Sequence, residues 1–260
     1  MKISLKGKIV LITGASSGIG ALTAKLLAKK GAVPVLTARS ADKLREWSQR
    51  MPGEHAAYPM DVTDAAQVQA TAAQVRERFG RIDVLVNNAG YGEFVPFVDA
   101  DLAHFEDMMD VNYLGVVRCT QAVLPDMLRA GGGHIVNVAS LAGKIGTARS
   151  SAYAATKHAV IGLTESLRLE LRGTGVLVSA VNPGPIATPF FDRADPDGTY
   201  LRNLGRFVLP PERAASAIVR VIERRLPEAD LPRLAAIGVR IRRLFPRWTD
   251  GIAARLLDKK

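Results

Sequence analysis

Cysteine is nearly absent from this chain of 260 residues, because Cys119 is its single cysteine. One cysteine excludes an internal disulfide and a cysteine-rich metal site. The four histidines, His55, His104, His134 and His158, show no spacing typical of metal ligands. We therefore expect no metal centre and interpret each histidine as a surface or packing residue.

Long hydrophobic runs are also missing. No stretch of about 18 apolar residues occurs, so no segment is predicted to span a membrane. The first apolar run, Ile9 to Ile12, is too short for the core of a signal peptide. With 48% hydrophobic and 23% charged residues, the composition is typical of a globular protein, and we expect a cytoplasmic one.

Negative charge is scarce near the C-terminus, although the whole chain has a formal net charge of +10. Residues 233–260 contain six arginines, two lysines and two aspartates, so eight positive and two negative charges place +6 of the excess there. Such a tail raises two candidate partners, nucleic acid and an anionic membrane. The charge excess is thus largely a property of the tail.

Short apolar runs alternate along the chain with segments of helical period. This alternation predicts one Rossmann-type, doubly wound α/β domain over residues 1–226, with about seven strands in a parallel sheet and helices on both faces. The six strands that the apolar runs indicate lie at residues 8–12, 33–37, 57–60, 82–86, 135–139 and 176–181.

Two segments near the C-terminus have other properties. Residues 189–209 lack clear periodicity, and we interpret about 186–210 as a lid over a ligand site. Residues 227–260 are predicted to form a basic amphipathic helical extension, packed on the lid or a neighbouring subunit, or bound to a membrane surface. Its apolar stripe comprises Leu231, Leu234, Ile237, Ile241 and Leu244.

A glycine motif follows the first predicted strand and precedes a helix. Glycines at this place let backbone N–H groups approach a pyrophosphate, and the helix N-terminus adds partial positive charge. A tight turn is the alternative for an isolated motif, but the flanking strand and helix favour a nucleotide site. The motif reads Thr13-Gly14-Ala15-Ser16-Ser17-Gly18-Ile19-Gly20.

Two later strand ends bear on which nucleotide is bound. Arg39 follows the second strand, where NAD sites usually carry an acid and an arginine accommodates the 2′-phosphate of NADP. A solvated loop arginine is the alternative, but the missing carboxylate favours NADP(H). Asp61, which precedes Val62, has two open interpretations, as an acceptor for the adenine amino group or as a turn residue.

Tyr153 and Lys157 are four residues apart in a predicted helix and therefore share one face. A nearby cation lowers the tyrosine pKa from about 10 and makes the phenol a usable general acid or base. An ordinary solvated helix face is the alternative. Ser140 ends the fifth strand, where ligands bind in open α/β sheets. Asn112 lies inside a predicted helix, where an asparagine requires a specific reason.

In this order and spacing, the motifs resemble those of the short-chain dehydrogenase/reductase family over residues 8 to about 225. The resemblance rests on Thr13-Gly14-x-x-x-Gly18-x-Gly20, Asn87-Asn88-Ala89-Gly90, Asn112, Ser140, Tyr153-x-x-x-Lys157 and Pro183-Gly184-x-x-x-Thr188. It implies that Tyr153 exchanges a proton with the substrate oxygen while hydride passes between nicotinamide and carbon. Lys157 would lower the Tyr153 pKa and hold the nicotinamide ribose. Ser140 would bind the carbonyl oxygen, and Asn112 a relay water.

The resemblance also implies an NADP(H) site. Thr188 would contact the carboxamide, Asn88 to Gly90 the adenine ribose side, and Asp61 with Val62 the adenine. The full set of expected cofactor contacts is Thr13, Gly14, Ser16, Ser17, Gly18, Ile19, Gly20, Arg39, Asp61, Val62, Asn88, Ala89, Gly90, Tyr153, Lys157, Pro183, Gly184, Ile186 and Thr188.

These observations predict an NADPH-dependent reductase of carbonyl compounds, reversible as an alcohol dehydrogenase and without a metal. Aromatic residues suggest an apolar or lipid-like substrate, with candidate contacts at Phe94, Phe190, Phe191 and Phe207. We expect a homo-oligomer, dimer or tetramer, with peripheral membrane contact through the tail and no nucleic-acid partner. The rival from another class is an NADP(H)-binding scaffold or sensor that kept the fold without the chemistry.

Overall fold

The structure, a computed structural model, describes residues 2–232 and Gly238. Within them, seven parallel strands form one sheet in the order β3-β2-β1-β4-β5-β6-β7. The order reverses between β1 and β4, and a crevice for ligands is expected at such a switch point. The strands are β1 (Ile9–Thr13), β2 (Val33–Ala38), β3 (Ala56–Pro59), β4 (Val84–Asn87), β5 (Gly133–Val138), β6 (Val176–Pro183) and β7 (Glu228–Leu231). The predicted doubly wound sheet is confirmed.

Helices cover both faces of the sheet. Because successive strand residues point to opposite faces, Val10 and Ile12 of β1 belong to one core cluster and Ile9 and Leu11 to another. None of the helices in the described ranges is long and apolar enough to cross a membrane. They are α1 (Gly18–Lys29), α2 (Ala41–Gln49), α3 (Ala65–Phe79), α4 (Leu102–Met109), α5 (Gly115–Arg129), α6 (Ser151–Glu170), α7 (Phe190–Ala194), α8 (Thr199–Leu204) and α9 (Pro211–Arg224).

The long helix predicted around Asn112 is interrupted. Between α4 and α5 the chain forms a π-helical segment, Asp110–Leu114, which includes Asn112. Gly115 follows this segment and packs closely on Val62. A Cβ at Gly115 would lie only 2.8 Å from Cγ2 of Val62, so a larger residue would collide there. Single π-helical turns inside α-helices occur frequently at functional sites.

The predicted lid has more regular structure than its sequence indicates. Residues 189–209, whose sequence shows no periodicity, contain α7, α8 and a 3-10 turn at Gly205–Phe207. These helices have five and six residues. A helix of that length completes too few turns to produce a recognisable apolar period.

The first residues of the predicted C-terminal extension form a strand and not a helix. Glu228–Leu231 form β7, which pairs in parallel with β6 so that Leu231 lies opposite Pro183. Leu231 therefore belongs to the sheet and not to a helical stripe. The other stripe residues, Leu234, Ile237, Ile241 and Leu244, lie outside the described residues, as does most of the predicted extension.

His134 is a packing residue near the start of β5, with only 4% of its surface exposed. Its Nε2 lies 2.7 Å from Oγ of Ser179, and the Ser179 hydroxyl donates to the carbonyl oxygen of Leu226. Nε2 is therefore the protonated nitrogen. The buried Nδ1 has no hydrogen-bond partner among the described residues. Burial, aided by the positive charge of Arg225, lowers the pKa of His134 to about 4.

We expect acid to destabilise the fold through His134. Above its unfolded pKa of 6.5 the imidazole is neutral in both states, so its contribution is constant. As the pH falls from 6.5 toward 4, only the unfolded chain takes up the proton, and the free energy of unfolding decreases by about 3 kcal/mol. Urea unfolding measured across this range should show a shallower pH dependence in His134→Gln. The exposed control His158→Gln should keep the wild-type slope, and an unaltered slope in His134→Gln would contradict the assignment.

Candidate active site

One cavity of about 1400 Å³ lies along the edge formed by the carboxyl ends of the strands. Eighteen of the predicted catalytic and cofactor-binding residues line it, whereas Thr13, Gly20 and Asn112 do not. The lining members are Gly14, Ser16, Ser17, Gly18, Ile19, Arg39, Asp61, Val62, Asn88, Ala89, Gly90, Ser140, Tyr153, Lys157, Pro183, Gly184, Ile186 and Thr188.

The loop between β1 and α1 has the form of an anion site. Gly14 and Gly18 have φ values of 65° and 54°, in the left-handed region that favours glycine. Ser17 is the N-cap residue of α1, but its side chain does not cap the helix, and the first turn contains no acid. The first N–H groups of α1 therefore remain available for a negatively charged group, and the helix dipole favours one. These features fit the pyrophosphate of a dinucleotide.

Thr13 and Gly20 lie behind this loop and shape it. Oγ1 of Thr13 accepts hydrogen bonds from the backbone N–H groups of Asn88 (3.0 Å) and Ala89 (2.9 Å). Nδ2 of Asn88 donates in return to the carbonyl oxygens of Thr13 (3.0 Å) and Gly14 (3.2 Å). A Cβ at Gly20 would lie 2.5 Å from the Gly14 oxygen and 2.6 Å from Nδ2 of Asn88. The backbone positions of the loop thus depend on both residues.

Basic side chains line the far end of the cavity, after β2. Arg39 is exposed there, and Lys43 of α2, which sequence reasoning missed, joins it. Asp61 accepts hydrogen bonds from the N–H and hydroxyl groups of Thr63, at 2.9 and 2.8 Å, as its interpretation as a turn residue predicts. It also lines the cavity, so the interpretation as an adenine acceptor stays a prediction.

At the other end of the cavity, Ser140, Tyr153 and Lys157 come together from β5 and α6. The Lys157 ammonium is 5.8 Å from the centre of the Tyr153 ring and donates to the carbonyl oxygen of Val138 at 3.0 Å. The Ser140 hydroxyl donates to the carbonyl oxygen of Pro183 at 3.2 Å. The tyrosine and lysine are carried by one helix, as their spacing predicts, and Lys157 is only 6% exposed.

The expected lowering of the Tyr153 pKa does not occur in the structure. Burial raises the pKa of Tyr153 to about 12, although a hydrogen bond with Ser140 acts in the opposite direction. Burial also lowers the pKa of Lys157 to about 8. Desolvation disfavours the charged form of each group, an effect that the helical spacing does not reveal. The phenol therefore holds its proton at neutral pH.

Asn112 is fully buried and bridges two parts of the site. Its Nδ2 donates to the carbonyl oxygen of Tyr91 at 2.8 Å and to Oγ1 of Thr156 at 3.1 Å, while its Oδ1 accepts from the Tyr91 N–H at 2.9 Å. These bonds tie the loop after β4 to α6. They give the reason for an asparagine at this position, and its role with a relay water stays a prediction.

Aromatic side chains from the lid and the loop after β4 form one wall of the cavity. Phe191 lies between Phe190 and Tyr200, with ring centres 5.2 and 5.8 Å away, and Phe94 packs on Tyr200 at 5.1 Å. Phe190 also packs on the Tyr153 ring at 5.4 Å. Further lining residues that sequence reasoning did not select are Tyr91, Ile145, Thr147, Arg193 and Leu204. Since they lie on irregular or short segments, no periodic pattern marks them.

The chain belongs to the short-chain dehydrogenase family, whose sequence model, described as short chain dehydrogenase, matches residues 8–198. It is 40% identical over 222 residues to D-threitol dehydrogenase of Mycolicibacterium smegmatis, covering 82% of this chain and 85% of that protein. It is 39% identical over 215 residues to a 3-oxoacyl-[acyl-carrier-protein] reductase of Thermotoga maritima, covering 80% of this chain and 87% of the relative.

A solved structure agrees with this assignment. The crystal structure of levodione reductase superimposes with a TM-score of 0.81 at 30% sequence identity, covering 87% of this chain and 96% of that one. The protein is therefore an oxidoreductase of this family, which uses a nicotinamide cofactor.

We expect Gly20→Ala to weaken binding of NADPH and NADH by at least about tenfold, because the added methyl group collides with the loop backbone at Gly14. Isothermal titration calorimetry with each dinucleotide measures the change, and thermal unfolding shows whether the variant is folded. Gly162→Ala, on α6 with open space around its Cβ, is the matched control and should bind like the wild type. If a folded Gly20→Ala variant bound both dinucleotides with the affinity of the wild type, this result would contradict the proposed position of the pyrophosphate.

Proposed function

We propose that the protein is an NADPH-dependent reductase of carbonyl compounds, and in the reverse direction an alcohol dehydrogenase. The observation that carries this proposal is that Ser140, Tyr153 and Lys157 line the same cavity as the glycine loop and Arg39. One extended ligand would therefore reach both the proton-transferring groups and the anion site.

The cofactor would be held by the glycine loop and the other predicted contacts that line the cavity, with Arg39 toward the 2′-phosphate. When bound, NADPH supplies the hydride. The chain supplies the hydrogen bonds and the proton: Ser140 and Tyr153 hold the substrate oxygen, and the Tyr153 hydroxyl protonates it as negative charge develops. Lys157 stabilises the phenolate that remains.

The protonation state of Tyr153 suits proton donation to a carbonyl oxygen. With a pKa of about 12, the phenol is protonated near neutral pH and is ready to donate. Oxidation of an alcohol needs the phenolate, whose formation is opposed by the same burial.

The lining of the cavity supports an apolar or lipid-like substrate. Beside the ring of Tyr153, the wall consists of Phe190, Phe191, Phe94 and Tyr200, which offer hydrophobic contact area and few polar partners. A cytoplasmic location, a homo-oligomeric state and membrane contact through the tail stay predictions from the sequence.

Replacing Tyr153 by Phe should lower kcat for carbonyl reduction by at least about 100-fold, because the proton donor is lost while the ring is kept. The measurement is NADPH oxidation with a panel of ketones and aldehydes, and calorimetry should show that NADPH still binds. Tyr58→Phe on β3, whose side chain does not line the cavity, is the control and should retain full activity. Unchanged turnover in Tyr153→Phe would refute the proposed acid. Tight NADPH binding by a wild type inactive on every carbonyl tested would favour the scaffold or sensor.

Arg39→Asp should weaken the binding of NADPH at least about tenfold more than the binding of NADH. The new carboxylate would repel the 2′-phosphate of NADPH, whereas it could accept a hydrogen bond from the free 2′-hydroxyl of NADH. Binding constants for both dinucleotides measure this difference. Arg45→Asp makes the same change in charge on α2, at an exposed position that does not line the cavity, and should not alter the preference. If the affinities for NADPH and NADH changed by the same factor in Arg39→Asp, Arg39 would not be the residue that recognises the 2′-phosphate.

A further inference from the structure

A largely buried ion-pair network lies along β7 and beside the end of β6. The Lys144 ammonium, on a side chain only 10% exposed, is 2.6 Å from Oδ1 of Asp230 and 2.9 Å from Oε1 of Glu228. Nδ2 of Asn182 donates to the same two oxygens, at 2.8 and 2.7 Å. Asp230 is 7% exposed, so this cation and its carboxylate are largely removed from water. Removing one member would leave the other charged and poorly solvated.

Lys144 ends the turn that begins at Ser140. The residues between them, Leu141–Gly143, form a 3-10 turn in which the Ala142 N–H donates to Ser140 Oγ and the Gly143 N–H to the Ser140 carbonyl oxygen. The Lys144 N–H closes the turn on the carbonyl oxygen of Leu141. A shift of Lys144 would therefore be transmitted through this turn to Ser140.

The same turn is in close contact with the helix that carries the catalytic pair. A Cβ at Gly143 would lie 2.5 Å from the carbonyl oxygen of Lys157 and 2.7 Å from Cδ1 of Ile161. On the other side, the Ser140 hydroxyl donates to Pro183 at the end of β6, and Gly184 N–H donates to Leu231 of β7. The turn is thus held between α6 and the ends of β6 and β7.

We propose that Lys144, through Asp230 and Glu228, is a positioning residue that fixes the Ser140 hydroxyl relative to Tyr153. This inference rests on the proposed function. Lys144 itself does not line the cavity, so it acts through the turn and not on the substrate. Small displacements of a catalytic group reduce the rate steeply, because the reacting atoms must be aligned closely. Buried ion pairs often add little net stability, and fixing one arrangement of the chain is their better-supported use.

The kinetic test compares Lys144→Met and Asp230→Asn with the wild type. Each should lower kcat by about tenfold, while the KM for the carbonyl substrate and the Kd of NADPH stay nearly constant. Lys144→Arg keeps the charge and should restore most of kcat. Lys30→Met breaks an ion pair of similar length, 2.7 Å, between the C-cap residue of α1 and Glu223 of α9, remote from the turn and more exposed, and should leave kcat unchanged. An unchanged kcat in Lys144→Met and Asp230→Asn, or a loss fully explained by unfolded protein in thermal scans, would overturn the proposal.

A second measurement does not depend on turnover. Hydrogen–deuterium exchange of the peptide covering residues 140–145 should be faster in Lys144→Met and in Asp230→Asn than in the wild type, and unchanged in Lys30→Met. Exchange at wild-type rates in this peptide would refute the positioning role. A wild type that reduces no carbonyl would instead refute the proposed function, and the exchange experiment would still test whether Lys144 holds the turn.

Discussion

The two hydrogen bonds that Oγ1 of Thr13 accepts determine the geometry on which the rest of the site depends. Strands β1 and β4 are neighbours as far as Ile12 and Val86, and beyond that point their chains separate toward opposite faces of the sheet. The N–H groups of Asn88 and Ala89 would lack a strand partner there, and the Thr13 side chain supplies one. The crevice thus opens at a place where these backbone N–H groups still have hydrogen-bond partners.

The chemistry at the other end of the cavity depends on burial. A tyrosine and a lysine one helical turn apart would influence each other mainly through charge if both were in water. Here burial, nearly complete for Lys157 and partial for Tyr153, favours the neutral form of each group. In the proposed mechanism, this arrangement keeps a proton on Tyr153 and places Lys157 where it would stabilise the negative charge left after proton transfer.

Local patterns in the sequence were sufficient to locate β1 to β6, the glycine loop and the helix with Tyr153 and Lys157, because each depends on residues close together in the chain. Other features depend on context. The π-helical segment contains Asn112, whose side chain bonds to Tyr91 and to Thr156, the latter 44 residues away. Strand β7 contains two acidic residues among four, which hides it from an apolar pattern. The bond between Lys144 and Asp230 joins positions 86 residues apart.

Because all seven described strands run in the same direction, their carboxyl ends form one edge of the sheet and their amino ends form the opposite edge. These two edges have different roles. The ligand cavity follows the carboxyl edge, whereas His134 and the ion pair of Lys8 with Asp83 lie near the amino edge. An engineer can therefore adjust thermal or acid tolerance at one edge without redesigning the chemistry at the other. The same separation applies to natural variation. Loops at the carboxyl edge can change and alter substrate preference, while residues at the amino edge keep the fold stable.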